Sequence, residues 1–135
     1  MYFITDKDRA ENIRRIGHVS TLFLDAGVVV LTAFVSPFRV DRDNIRSLVN
    51  KDGYDGEFIE VLCNSSLSRC EERDTKGLYA KARAGIIPDF TGISSPYEPP
   101  QSPELTIDTE NQSIENCVKQ VITYLEMKQM IPNIL

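Results

Sequence analysis

The run Val28 to Phe34, VVVLTAF, is apolar at odd and even positions alike, Thr32 apart. A strand with one wet face alternates apolar and polar residues. A strand apolar on both parities is covered on both faces, which occurs mostly in parallel sheets flanked by helices. Ser36 and Pro37 stop the run, because proline has no N–H for a ladder. The chain therefore has to supply further strands and helices to cover this one.

It does so in alternation. Thr5 or Asp6 caps a first helix, with apolar residues Ile13, Ile16, Val19, Phe23 and Ala26 at helical spacing and Gly27 as its terminator. Asp41–Asn50 is a second helix, and Lys51–Gly56 a turn. Phe58–Cys63, FIEVLC, is a second strand. Short helices follow over Ser66–Arg73 and Gly77–Gly85. Residues 86–103 hold five of the seven prolines and read as an irregular surface loop. Glu104–Asp108 is a third strand, and Ser113 caps a closing helix that runs to Lys128 with Ile114, Cys117, Val121 and Leu125 on one face. This order predicts an α/β fold with a three-stranded parallel sheet in one domain over residues 1–135.

A net charge of −5 argues against non-specific nucleic-acid binding, which needs a basic footprint. Cys63, Cys70 and Cys117 are scattered and odd in number, and none has metal-ligand spacing. Reduced thiols and a cytoplasmic setting follow as the expectation. No apolar run is long enough to span a membrane.

Several residues carry two readings. Arg9 and Asn12 lie three apart on one helix face and can grip an anion and a sugar or base; alternatively they belong to a solvated face that pairs with Asp8 and Glu11. Ser36 stands at the carboxyl end of a strand, where open α/β sheets bind ligands, and is equally a strand terminator. Arg73, Lys76, Lys81 and Arg83 place four cations within eleven residues, either as a closing lid hinged at Gly77 and Gly85 or as a solvated helix. Phe90 can cover a planar ring or pack locally. His18 sits within a helix with no serine or cysteine elbow, so a nucleophilic triad is unsupported. The chain contains no Gly-Lys dipeptide, so it has no G-x-x-x-x-G-K-[ST] phosphate loop.

The segments ENIRRI, VSPFR, KGLYAKARAG and FTGI…SPYE, taken together, resemble adenylylsulfate (APS) kinases, and the likeness runs from about Thr5 to about Leu125. The resemblance implies a three-layer fold of the P-loop kinase type, ATP and Mg²⁺ as cofactors, and adenosine 5′-phosphosulfate (APS) as substrate. It implies substrate contacts at Arg9, Asn12, Val35, Ser36, Lys76, Asp89 and Phe90, with Ser36 either a phosphoserine or a substrate ligand. Arg73 would lie near the ATP base, and Arg73–Glu98 would be the lid. No membrane or nucleic-acid partner is implied; a homodimer, or pairing with an N-terminal kinase segment, is.

The family's first strand, its phosphate loop and its second strand have no counterpart in this sequence. An N-terminally truncated sheet is therefore expected, with no protein ligand for the metal. The strands expected at Val28–Phe34 and Phe58–Cys63 would lack their shared partner, leaving the isolated chain inactive and prone to aggregate. A non-catalytic binder of APS or of its 3′-phosphorylated product PAPS, or a regulatory partner of a full-length kinase, is the alternative.

Overall fold

The computed structural model describes residues 5–51 and 56–132, so the turn expected at Lys51–Gly56 lies largely outside the described residues. The elements are α1 (Asp6–Asp25), α2 (Arg39–Lys51), β1 (Val61–Asn64), α3 (Leu67–Glu72), α4 (Leu78–Arg83), β2 (Leu105–Asp108) and α5 (Ile114–Met127). They fall into two compact units, Met1–Phe58 with Asp74–Pro100 and Ile59–Arg73 with Gln101–Leu135.

In the first unit, α1 opens on a capping box. The Thr5 hydroxyl accepts from the Asp8 amide at 3.2 Å and the Asp8 carboxylate accepts from the Thr5 amide at 3.0 Å. It closes at Gly27, whose φ of 73° is open to glycine without Cβ strain. There the Gly27 amide donates to the Leu24 carbonyl and the Val28 amide to the Phe23 carbonyl, the paired bonds of a Schellman ending. α1 packs on α2 where Gly17 is buried; a Cβ at that position would overlap the Ile45 side chain. The Thr21 hydroxyl is buried beside it and donates back to the Gly17 carbonyl at 2.9 Å. The face of α1 turned to α2 is thus Gly17 and Thr21. Val19 and Phe23, expected on the packed face, are each half exposed.

The second unit is built on a parallel pair, β1 with β2, in the register Val61–Leu105 to Asn64–Asp108. Ile107 is its buried centre, and α5 packs on β2. Ser66 and Ser113 cap α3 and α5, their hydroxyls accepting from the Arg69 and Asn116 amides. The three cysteines are free thiols. No helix among the described residues is long and apolar enough to cross a membrane.

Among the described residues the parallel sheet therefore has two strands, where three were expected. Val28–Val35 lies outside any ladder of the described strands, with Leu31 84% and Val29 54% exposed. A both-faces-apolar segment becomes a strand only when a neighbouring strand takes its backbone groups, and no described strand does. The strand expected at Phe58–Cys63 is shifted to Val61–Asn64, where β2 provides its partners.

Few side chains are excluded from water: Val49, Ala82 and Ile107 are the buried hydrophobics among the described residues, with Pro37 fully buried. An exposed apolar segment that no strand of its own chain pairs is a template for pairing with another chain. The purified chain is expected to self-associate in sedimentation velocity, and Leu31→Lys to shift it toward monomer. A monodisperse wild-type monomer with a cooperative thermal transition would contradict this.

Candidate functional site

The corner that follows the exposed apolar segment is held by several long-range hydrogen bonds. Ser36 adopts φ 40°, a left-handed conformation that costs a non-glycine residue energy. Pro37 next to it is fully buried. The buried guanidinium of Arg42, one turn into α2, donates to the Ser36 carbonyl at 2.6 Å and to the Glu98 carbonyl at 2.6 Å. It also lies 5.8 Å from the centre of the Tyr97 ring. The Glu98 amide donates to the Pro37 carbonyl at 2.8 Å, and the Glu98 carboxylate accepts from the Arg39 amide at 2.8 Å. The Arg39 side chain reaches the Pro99 carbonyl at 3.1 Å. Val35 and Ser36 are therefore joined to residues 97–99, with Val35 itself exposed.

A second cluster forms where α1 meets the proline-rich loop. Arg9 donates to the Asp89 carbonyl at 2.8 Å and to the Thr91 hydroxyl at 3.0 Å. Asp89 is the second left-handed non-glycine residue of this unit, at φ 52°. The turn that follows is self-closing: the Phe90 carbonyl accepts from the Ile93, Ser94 and Ser95 amides, and the Phe90 amide donates to the Ser94 hydroxyl at 3.0 Å. The Phe90 ring meets Tyr79 of α4 edge-to-face at 5.0 Å.

Three sequence candidates thus come together: Arg9, Asp89 and Phe90 share one turn. Asn12 and Lys76 are exposed. Arg14 and Arg15, farther along the same helix, are exposed and both bonded to Glu11 at 2.7 Å. Those hydrogen bonds hold the Glu11 carboxyl down to about 2. Arg73 belongs to the second unit, where it donates to the Thr109 and Glu110 carbonyls. Among the described residues, no cluster of acidic, histidine or cysteine side chains is arranged to hold a metal ion.

Sequence reasoning missed the residues that hold these positions: Arg42, Asp74, Tyr79, Thr91, Ser94 and Glu98. Asp74 carried a signal, since an aspartate just before a glycine and a helix start is a usual anchor for free amides. Its carboxylate accepts from the Leu78 amide at 2.8 Å and the Ala80 amide at 3.0 Å, closing the turn that bears Lys76. Arg42 carried none, because a buried arginine in a charged helix looks like its solvated neighbours.

Desolvation raises the Asp74 carboxyl, but the amides of Ala80, Tyr79 and Leu78 outweigh it and hold the group below its ordinary value of 3.8. A lowered folded-state value means that the stabilisation is complete above the ordinary value and is lost as pH falls through the lower one. The Leu78 and Ala80 amides are expected to lose hydrogen-exchange protection in that window below pH 3.8, and Asp74→Asn to flatten the dependence. An identical pH profile in the variant would refute the anchor.

Residues 3–108 match the family described as Adenylylsulphate kinase. Adenylyl-sulfate kinase of Prochlorococcus marinus is 62% identical over 121 residues, covering 90% of this chain and 58% of that protein. Adenylyl-sulfate kinase of Acaryochloris marina is 56% identical over 127 residues, covering 94% of this chain and 60% of that protein. The chain thus spans about 60% of the length of these relatives. The solved structure of the Mycobacterium tuberculosis APS kinase CysC, in complex with AMPPNP and APS, superposes with a TM-score of 0.84 at 47% identity, over 90% of this chain and 69% of that one. That likeness extends to the α/β P-loop kinase fold, of which this chain shows a small parallel sheet. On the family match and these relatives, the chain belongs to the adenylylsulphate kinase family.

Proposed function

We propose that this chain is the APS-binding portion of an adenylylsulfate kinase. Such an enzyme transfers the γ-phosphoryl group of ATP to the 3′-hydroxyl of APS, giving ADP and PAPS in cytoplasmic sulfate assimilation. The observation that carries the reading is the convergence of Arg9, Asp89 and Phe90 on one turn, in a chain matched to the family over residues 3–108.

In this reading Arg9 is held by the Asp89 carbonyl and directs its remaining donors at the anionic part of APS, with Asn12 beside it on the helix face. Phe90, braced against Tyr79, stacks on the adenine. Val35 and Ser36 line the acceptor end, with Ser36 as a substrate ligand. Direct in-line transfer needs positioning and electrostatics rather than a phosphoserine. Lys76 and Asp89 complete the contacts, and Arg73 stands toward ATP.

The residues present do not fit the phosphates of ATP or its Mg²⁺. The sequence has no Gly-Lys dipeptide, and no acidic cluster among the described residues suits a metal. The phosphate cradle and its flanking strands lie outside these 135 residues, in this proposal, and the unladdered segment Val29–Val35 is where a further strand would pair. That strand could come from an N-terminal kinase segment; a homodimer is the other association proposed. The missing cradle equally favours a second reading, a non-catalytic binder of APS or PAPS or a regulatory partner of a full-length kinase.

Incubated with ATP, Mg²⁺ and APS, the purified chain is expected to make no PAPS above background; clear turnover would overturn its proposed dependence on a cradle from elsewhere. Calorimetry with APS is expected to detect binding that Arg9→Ala and Phe90→Ala each weaken about tenfold or more, as loss of a charge-assisted contact or a stacking surface does. Unchanged affinity in either variant removes that residue from the site.

A further inference from the structure

We infer that Arg42 is a positioning residue: it holds the Ser36 corner in its left-handed conformation and locks that corner to Tyr97–Pro99. The inference deepens the proposed function, since it rests on Ser36 being a substrate ligand.

Both prongs of one buried guanidinium are used, at 2.6 Å each, on carbonyls 6 and 56 residues away. The planar fork suits this task, because two nitrogens in fixed geometry address two acceptors at once. The Ser36 carbonyl is aimed at Arg42 in a backbone state that a serine does not adopt freely. Release of that carbonyl lets Ser36 relax to an ordinary extended conformation and swings its hydroxyl away. The other tethers reinforce the same junction: the Glu98 amide on the Pro37 carbonyl, and the Arg39 amide on the Glu98 carboxylate. A change at residues 97–99 is thereby transmitted to Ser36, so one end of the proline-rich loop and the substrate corner move as one body.

The test compares the wild-type chain with Arg42→Lys, which keeps the cation but presents a single nitrogen. Isotope-labelled protein reports the Ser36 Cα and Cβ shifts, and hydrogen exchange reports the Glu98 amide. In Arg42→Lys the Ser36 shifts are expected to move to the extended range and the Glu98 amide to exchange about tenfold faster or more, as for local opening, while the Thr109 amide of the second unit keeps its protection. Unmoved Ser36 shifts overturn the inference, and so does equal loss of protection at Glu98 and Thr109, which would mark general destabilisation. If Arg42→Lys does not fold, Glu98→Ala removes the Arg39 tether and is expected to give the same displacement at Ser36 in smaller measure; no displacement there also overturns it. A separate titration of the wild-type chain with APS distinguishes the two layers. Ser36 shifts that respond to APS support both, whereas a coupling intact in the free protein with no response to APS supports the positioning by Arg42 and removes Ser36 as a ligand.

Discussion

A guanidinium cannot be taken out of water unless its donors are matched, and Arg42 meets that condition only because two stretches of backbone come to it. Each hydrogen bond from a charged donor contributes about 1.5–3 kcal/mol, against a burial cost of similar or larger size if either is lost. The Ser36 carbonyl and the Glu98 carbonyl are therefore requirements of the fold as much as beneficiaries of it. The left-handed Ser36 and the position of Glu98 both answer to this one side chain, with Arg39 and the Pro37 carbonyl adding their own bonds at residues 98 and 99.

Arg9 repeats the device at smaller scale from α1, gripping the Asp89 carbonyl and the Thr91 hydroxyl. Both arginines bond uncharged oxygens of a loop that has no regular secondary structure. Arg9 also stands 3.7 Å from the Asp6 carboxylate on its own helix, and other ion pairs among the described residues are likewise local. Arg14 and Arg15 with Glu11, and Arg69 with Glu72, are exposed pairs within single helices, each worth little to stability. The loop is held by these arginine bonds together with its own turn around Phe90, and the helix pair from which the arginines project is set by the close approach at Gly17.

Local chemistry was readable from the residues. The caps at Thr5 and Ser113 and the stop at Gly27 are fixed by near neighbours in sequence, and each stands where it was expected; Ser66, expected as the first residue of a short helix, is its cap instead. Long-range matters were not. VVVLTAF carries the pattern of a covered strand, yet strand formation is a property of pairs, and its partner is absent from the described residues. The packed face of α1 was misplaced because buried Gly17 and Thr21 carry no hydrophobic signal, while Val19 and Phe23 do. In the candidate site, the family resemblance, through the segments DRAENIRRI and PDFTGI, pointed to Arg9, Asp89 and Phe90. Arg42 stayed invisible, since what distinguishes it from Arg39 or Arg46 is which carbonyls lie in its reach.

The interleaving of the two units along the chain has a kinetic consequence. β1 and β2 pair across a long sequence separation, Val61 opposite Leu105, and closing a loop of that length costs about 3 kcal/mol of chain entropy before any ladder bond forms. Most of that excursion, Asp74–Pro100, folds with the first unit, whose helices depend on local contacts that form quickly. Once the first unit is formed, Asp74–Pro100 no longer explores open chain, and the parallel pair is reached by a shorter search. A slow or faulty first unit would therefore show itself as a delay in the sheet, in residues that it does not contain.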